Sequence, residues 1–212
     1  MIKEFNLIIA GVGGQGSILS SHIVGDAAIK DGYHARVAET YGAAIRGGAV
    51  MGQIRLGKEV SGPLIPLGRT DALLALEPME GLRRGAVYLN PSSLAVLNTR
   101  PLYPIDVNLG RARYPSMDEI SRSLRKLCKR IITLDGTGLA QEAGSQRTLN
   151  IVMIGALSSF GMFPLSEKSL REAIKERVPP GTEEMNMKAF ELGVAAMRSE
   201  SSIEAMDKTV RR

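Results

Sequence analysis

The chain has 212 residues, 44% of them apolar and 23% charged, a composition that supports a real aliphatic core in one globular domain. Its formal charge of +5 admits anionic ligands and acidic partners, while four Phe, five Tyr and no Trp are too few stacking rings for a nucleic-acid module. The single cysteine, Cys128, excludes a disulfide framework, an all-cysteine iron–sulfur site and a Cys-rich zinc site within the chain.

The first element organises the rest. Phe5 to Ala10 (FNLIIA) reads as a buried strand, and GVGGQG follows at once, with Gly11, Gly13, Gly14, Gln15 and Gly16. The next residues, from Ser17, have a helical period carrying Ile18, Leu19 and Ile23, and Gly32 is placed to cap the helix. Strand, glycine turn and helix open a βαβ unit whose helix N-terminus can face an anion or a close backbone. HARVAE, residues 34–39, reads as the second strand. His22 and His34 read as structural or surface residues, since neither has an acid or nucleophile partner in view.

TYGAAIRGG is a glycine loop in which Tyr41, Arg46, Gly47 and Gly48 are candidate site residues, with Arg46 presenting a fixed positive charge. AVMGQIRLG then reads as a strand turning at Gly57 to Glu59 into VSGPLIP, a hairpin that predicts a mixed sheet. ALLAL reads as a buried strand, EPMEGLRR as a helix with Pro78 at its first position and Gly85 at its stop, and AVYLN as another strand. Residues 91–115 hold four prolines and read as a crossover with a short strand near Ile105 to Asn108. Ser116 and Glu119 form a capping-box signature for a helix to about Cys128. IITLDG reads as the last core strand, followed by helices through GLAQEAG, RTLNIVMIGALSSFG, SEKSLREAIKERV and EEMNMKAFELGVAAMR. The expected organisation is one domain over 1–198 with a tail at 199–212, in a three-layer α/β sandwich with a largely parallel sheet.

Gly11, Gly13 and Gly16 match G-x-G-x-x-G, and Glu39 lies 23 residues beyond Gly16, where a dinucleotide site holds its ribose-binding acid. Three readings stay open on these residues: NAD or FAD binding, another anionic ligand, or close packing of protein. The loop lacks the GK[ST] ending of a phosphate-transfer loop. Arg111, Arg113, Arg122, Arg125, Lys126, Lys129 and Arg130 form a basic concentration that reads as a solvated helix face or a surface for an acidic partner.

GVGGQG, ETYGAAIRGGAVMGQIRLG, GPLIPLG and DALLALEPMEGLRRGAVYLN, in that order, resemble the gamma-type domain of 2-oxoacid:ferredoxin oxidoreductases, and the length resembles small subunits of the indolepyruvate type. TLNIVMIGALSSFG extends the similarity over most of residues 4–198. The resemblance implies a subunit of a complex that converts 2-oxoacids to acyl-CoA and CO2 with ferredoxin as acceptor. It also implies thiamine diphosphate and iron–sulfur clusters in a large partner subunit, with CoA as a substrate of the complex. The single cysteine fits a cytoplasmic protein. No cofactor, metal, nucleic acid or membrane is expected for this chain itself. Asp135-Gly136 and Asn150 do not match a thiamine motif in residue or spacing; a strand end followed by a helix cap is the better reading. No side chain is assigned a catalytic step. The alternatives are a stand-alone NAD- or FAD-binding oxidoreductase and a noncatalytic scaffold.

Overall fold

The computed structural model describes residues 2–42 and 47–210, with side chains through Arg198. Six strands form one sheet: β1 (Glu4–Val12), β2 (His34–Tyr41), β3 (Ala49–Gly57), β4 (Ala72–Ala75), β5 (Leu94–Asn98) and β6 (Arg130–Leu134), in the order β2-β3-β1-β4-β5-β6. β1, β4, β5 and β6 run parallel, whereas β3 is antiparallel to both of its neighbours, β1 and β2. The sheet is therefore mixed and largely parallel, as expected.

β1 is apolar without alternation because both its faces are covered. Leu7 and Ile9 join a cluster with Ile23, Val24, Ile151, Ile154 and Phe190, on the face covered by α1 (Ser17–Lys30), α6 (Leu149–Ser158), α7 (Glu167–Arg177) and α8 (Glu183–Val210). Ile8 and Ala10 join a second cluster with Leu73, Leu97, Ile120 and Leu124, under α2 (Pro78–Tyr88) and α4 (Met117–Arg125). The first face also carries α5 (Gly136–Ala143), and a short α3 (Ile105–Asn108) lies in the crossover before α4.

Gly32 does end α1. It takes φ 82°, its N–H donates to the Ile29 carbonyl, and the Tyr33 N–H donates to the Ala28 carbonyl at 2.9 Å. That pair of bonds is a Schellman ending. Ser116 and Glu119 form the predicted capping box of α4, each side chain accepting from the other's backbone N–H.

Three sequence expectations are corrected. The hairpin is β2–β3, joined across residues 42–48, and VSGPLIP is not its return strand. Both edges of β3 are already taken by β1 and β2, so residues 60–66 have no ladder to join. Second, α2 continues through AVY to Tyr88, and the Leu89 N–H still donates to the Gly85 carbonyl at 3.0 Å. Gly85 is a close-approach residue and not a stop: a Cβ there would lie 2.7 Å from Leu124 Cδ2. Third, the strand after α2 is LAVLN, β5, inside the segment read as crossover, and residues 105–108 form a turn of helix and not a strand. All five β5 residues are buried, so no alternation marks them.

Candidate functional site

In an open α/β sheet, ligands and partners meet the carboxyl ends of the strands where successive connections diverge to opposite faces. Here that point lies between β1, which leads into α1 on one face, and β4, which leads into α2 on the other. GVGGQG occupies it.

The turn is held from beneath. Gln15 Oε1 accepts the Val12 N–H at 2.8 Å, and Gln15 Nε2 donates to the Leu76 carbonyl at 3.2 Å, tying the turn to the end of β4. A Cβ on Gly11 would lie 2.9 Å from both Gln15 Oε1 and Ser17 Oγ, so this glycine serves packing. Gly14 and Gly16 have φ of 105° and 85°, backbone that L side chains resist. Gly16 caps α1 with no side-chain bond, and buried Asn150 presses against it, donating Nδ2 to the Gly16 carbonyl at 3.4 Å. The hairpin then closes over the turn: Gly13 N–H donates to the Gly48 carbonyl at 2.8 Å, and Gly47 N–H to the Gly13 carbonyl at 3.3 Å.

Three depressions surround this closure. One of about 520 Å³ is lined by Val12, Gly13, Gly14, Gly16, Ile18 and Tyr41. A second, of about 460 Å³, shares Val12 and adds Gly47, Glu77, Glu80, Tyr103 and Tyr114. A third, of about 290 Å³, shares Gly14 with the first and Leu102 with the second, and adds Arg100 and Arg147. Together they make one ring around the carboxyl end of β1.

Of the candidate residues, Gly13, Gly14, Gly16, Tyr41, Gly47 and Gly48 are thus brought together, Gly11 lies beneath as support, and Gln15 both supports the turn and lines the third depression. Glu39 stands apart. β3 separates its strand from β1, and its Oε1 lies 3.2 Å from His22 Nε2 on α1. A ribose-binding acid belongs on the strand next to β1, a place that the antiparallel β3 fills. Arg46 lies outside the described residues.

The second depression also has an acidic wall, formed by residues outside the candidate set. Glu77, 1% exposed, caps α2: its Oε2 accepts the Glu80 N–H at 2.8 Å, and its Oε1 accepts the Tyr114 hydroxyl and, at 3.4 Å, the Leu102 N–H. An anionic cap suits a helix N-terminus. Burial, then the hydrogen bond to Glu77, raises the Tyr114 hydroxyl far above the ordinary tyrosine range. Glu80, 4% exposed, accepts from Arg83 Nη1 at 2.5 Å through Oε1, but its buried Oε2 has no hydrogen-bond partner among the described residues. An unmatched buried acceptor costs about 1–3 kcal/mol, more when charged. The signal in the sequence was EPMEGLRR itself, an acid before the N1 proline and another on the first turn.

No residue set here fits the redox or thiamine groups that the resemblance places in a partner. Cys128 is a lone buried thiol, its pKa raised by burial. The Asp135 carboxylate caps α5 through Gly138 N–H and pairs with Arg100, which holds it below the usual carboxylate range. Asn150 is engaged with Gly16. Among the described residues no group of three or more His, Cys, Asp or Glu could hold a metal ion, and no helix is long and apolar enough to cross a membrane.

The overall fold is shared with solved subunits of oxoacid oxidoreductases. The keto/oxoacid ferredoxin oxidoreductase gamma subunit from Geobacter sulfurreducens superposes with a TM-score of 0.67 at 25% identity, over 92% of this chain and 99% of that one. The pyruvate oxidoreductase subunit PORC from Thermotoga maritima shares the fold, with a TM-score of 0.62 at 21% identity over 90% of this chain and 95% of that one. The chain belongs to the family described as pyruvate ferredoxin/flavodoxin oxidoreductase, which matches residues 6–196. Within it, the chain is 42% identical to indolepyruvate oxidoreductase subunit IorB of Thermococcus kodakarensis, over 93% of this chain and 98% of that protein. It is 40% identical to the IorB subunit of Archaeoglobus fulgidus, over 90% and 94% of the two chains. The 2-oxoglutarate synthase subunit KorC of Methanothermobacter marburgensis is 32% identical, over 91% of this chain and 95% of that one.

Proposed function

We propose that this chain is the small subunit of a complex that oxidatively decarboxylates aryl 2-oxoacids such as indolepyruvate to acyl-CoA and CO2, with ferredoxin as electron acceptor. The observation that carries the reading is the 42% identity to an indolepyruvate oxidoreductase subunit across 98% of that subunit's length. In this reading thiamine diphosphate and the iron–sulfur clusters belong to the large partner subunit, which performs the chemistry. Residues 1–198 act as one domain, and the complex works in the cytoplasm.

The chain's own contribution is assembly and completion of the site. The ring around Gly13, Gly14, Gly16, Tyr41, Gly47 and Gly48 faces the partner or CoA, with Arg46 supplying a cation for a carboxylate, a phosphate or an acidic partner residue. Glu39 supports the hairpin from β2, where it pairs with His22 on α1. The test is reconstitution with a large subunit carrying thiamine-type and Cys-rich sequence motifs. The expected result is aryl 2-oxoacid oxidation that requires both chains and CoA. A large subunit that neither binds nor needs this chain removes the reading.

A further inference from the structure

The second depression of the ring has an unusual chemistry for a chain of net charge +5. Its floor holds two buried carboxylates, Glu77 and Glu80. Among the described residues, Glu77 is satisfied by three donors, whereas Glu80 has a single one, Arg83, and its Oε2 is buried without a hydrogen-bond partner. The rim is the reverse, apolar and uncovered: Leu102, Tyr103 and Ile105 are 49%, 50% and 73% exposed. Tyr103 is held edge-on against Tyr114, with ring centroids 5.1 Å apart, so this side of the rim is anchored to the residue that bonds Glu77.

Exposed apolar side chains grouped at a groove mark an interaction surface. A buried carboxylate oxygen left without a donor at the same place specifies the sign of what arrives. We propose that this groove receives an arginine or lysine, carried on an apolar segment of the large partner subunit, with the cation donating to Glu80 Oε2 and the flanking apolar side chains covering Leu102, Tyr103 and Ile105. The proposal rests on the small-subunit reading given above. Arg83, whose side chain is 54% exposed, already neutralises one oxygen, so the incoming donor completes a three-member charge cluster. Tyr114 and Glu77 are positioning residues: they hold the wall and do not meet the cation.

The test compares the wild-type chain with Glu80→Gln and Arg83→Ala, each titrated with the large subunit. It also follows amide hydrogen exchange of the full chain alone and in the complex. The expected result is binding weakened roughly thirtyfold or more by Glu80→Gln, as for a lost partner of a buried charge pair. Arg83→Ala keeps wild-type affinity or tightens it, and amides of residues 102–108 exchange more slowly in the complex. Unchanged affinity for Glu80→Gln overturns the proposal. So does an equal loss in Arg83→Ala, which would make the intrachain pair the whole role of Glu80, and so does unchanged exchange at 102–108. If Glu80→Gln does not fold, the wild-type exchange decides. A wild-type chain that does not bind the large subunit defeats the small-subunit reading itself, an outcome distinct from a bound complex indifferent to Glu80.

Discussion

The glycines of GVGGQG differ in what they are needed for. Gly14 takes φ 105° in open space, so a side chain there meets only the backbone penalty. Gly16 takes φ 85° with Asn150 Cγ 2.8 Å from the place of a Cβ. Gly14→Ala should therefore cost about 1–2 kcal/mol, the penalty of left-handed backbone, and Gly16→Ala distinctly more, because the clash adds to it. Urea unfolding of both variants checks the order; equal losses would mean that Asn150 yields freely. Tyr114 supports a prediction about alkaline pH. Burial and the Glu77 bond raise its pKa, so the folded state holds the proton that the unfolded chain releases near pH 10. The stability tied to that proton is complete below about pH 10 and is lost as pH climbs above it. Unfolding measured from pH 8 to 11 should show a decline in the wild type that is smaller in Tyr114→Phe. The same slope in both would assign the decline to other groups.

At the scale of elements, the long helix α8 is seated on α6 by two glycines that let backbone meet backbone. A Cβ on Gly155 would lie 2.2 Å from the Phe190 carbonyl oxygen, and one on Gly193 would lie 2.0 Å from that of Val152. Neither glycine has positive φ, so helix propensity alone favours alanine at both sites. Packing decides the other way. Gly193→Ala should lower stability by about 1–3 kcal/mol, the usual cost of forcing volume into a filled core. Thermal unfolding checks the sign, and a stabilised variant would show that the helices part without loss.

For the whole molecule, the strand order matters more than any one motif. Because β3 enters between β1 and β2, Gly47 and Gly48, just before β3, lie over the glycine turn, where both bond Gly13. The ring around the turn is thus assembled from the ends of β1, β2 and β4, the start of β3 and the crossover after β5. Arg46, next to this closure in sequence, should matter to the complex and not to folding of the chain. Arg46→Ala is expected to weaken assembly or raise the CoA requirement at unchanged thermal stability. Unchanged turnover, affinity and CoA dependence would remove Arg46 from the site.

Elements whose signals are local were legible in the residues alone. FNLIIA, the turn glycines and the period of α1 identified the opening unit, and Ser116 with Glu119 located the start of α4, because capping and periodicity act within a few residues. β5 was hidden because a strand buried on both faces has no alternation, and α2 ran past Gly85 because Leu124, far along the chain, explains that glycine. Glu39 has the right spacing for a dinucleotide site, but spacing along a chain does not say which strand lies beside which. The buried Asn150 that supports Gly16, 134 residues away, and the acidic wall of Glu77 and Glu80 closed by Tyr114 arise from the same cause. Local chemistry along the chain chose the strands, turns and caps. The order in which the sheet stacked them chose which of those groups face one another, since pairing edges and helix faces are filled by competition among distant segments.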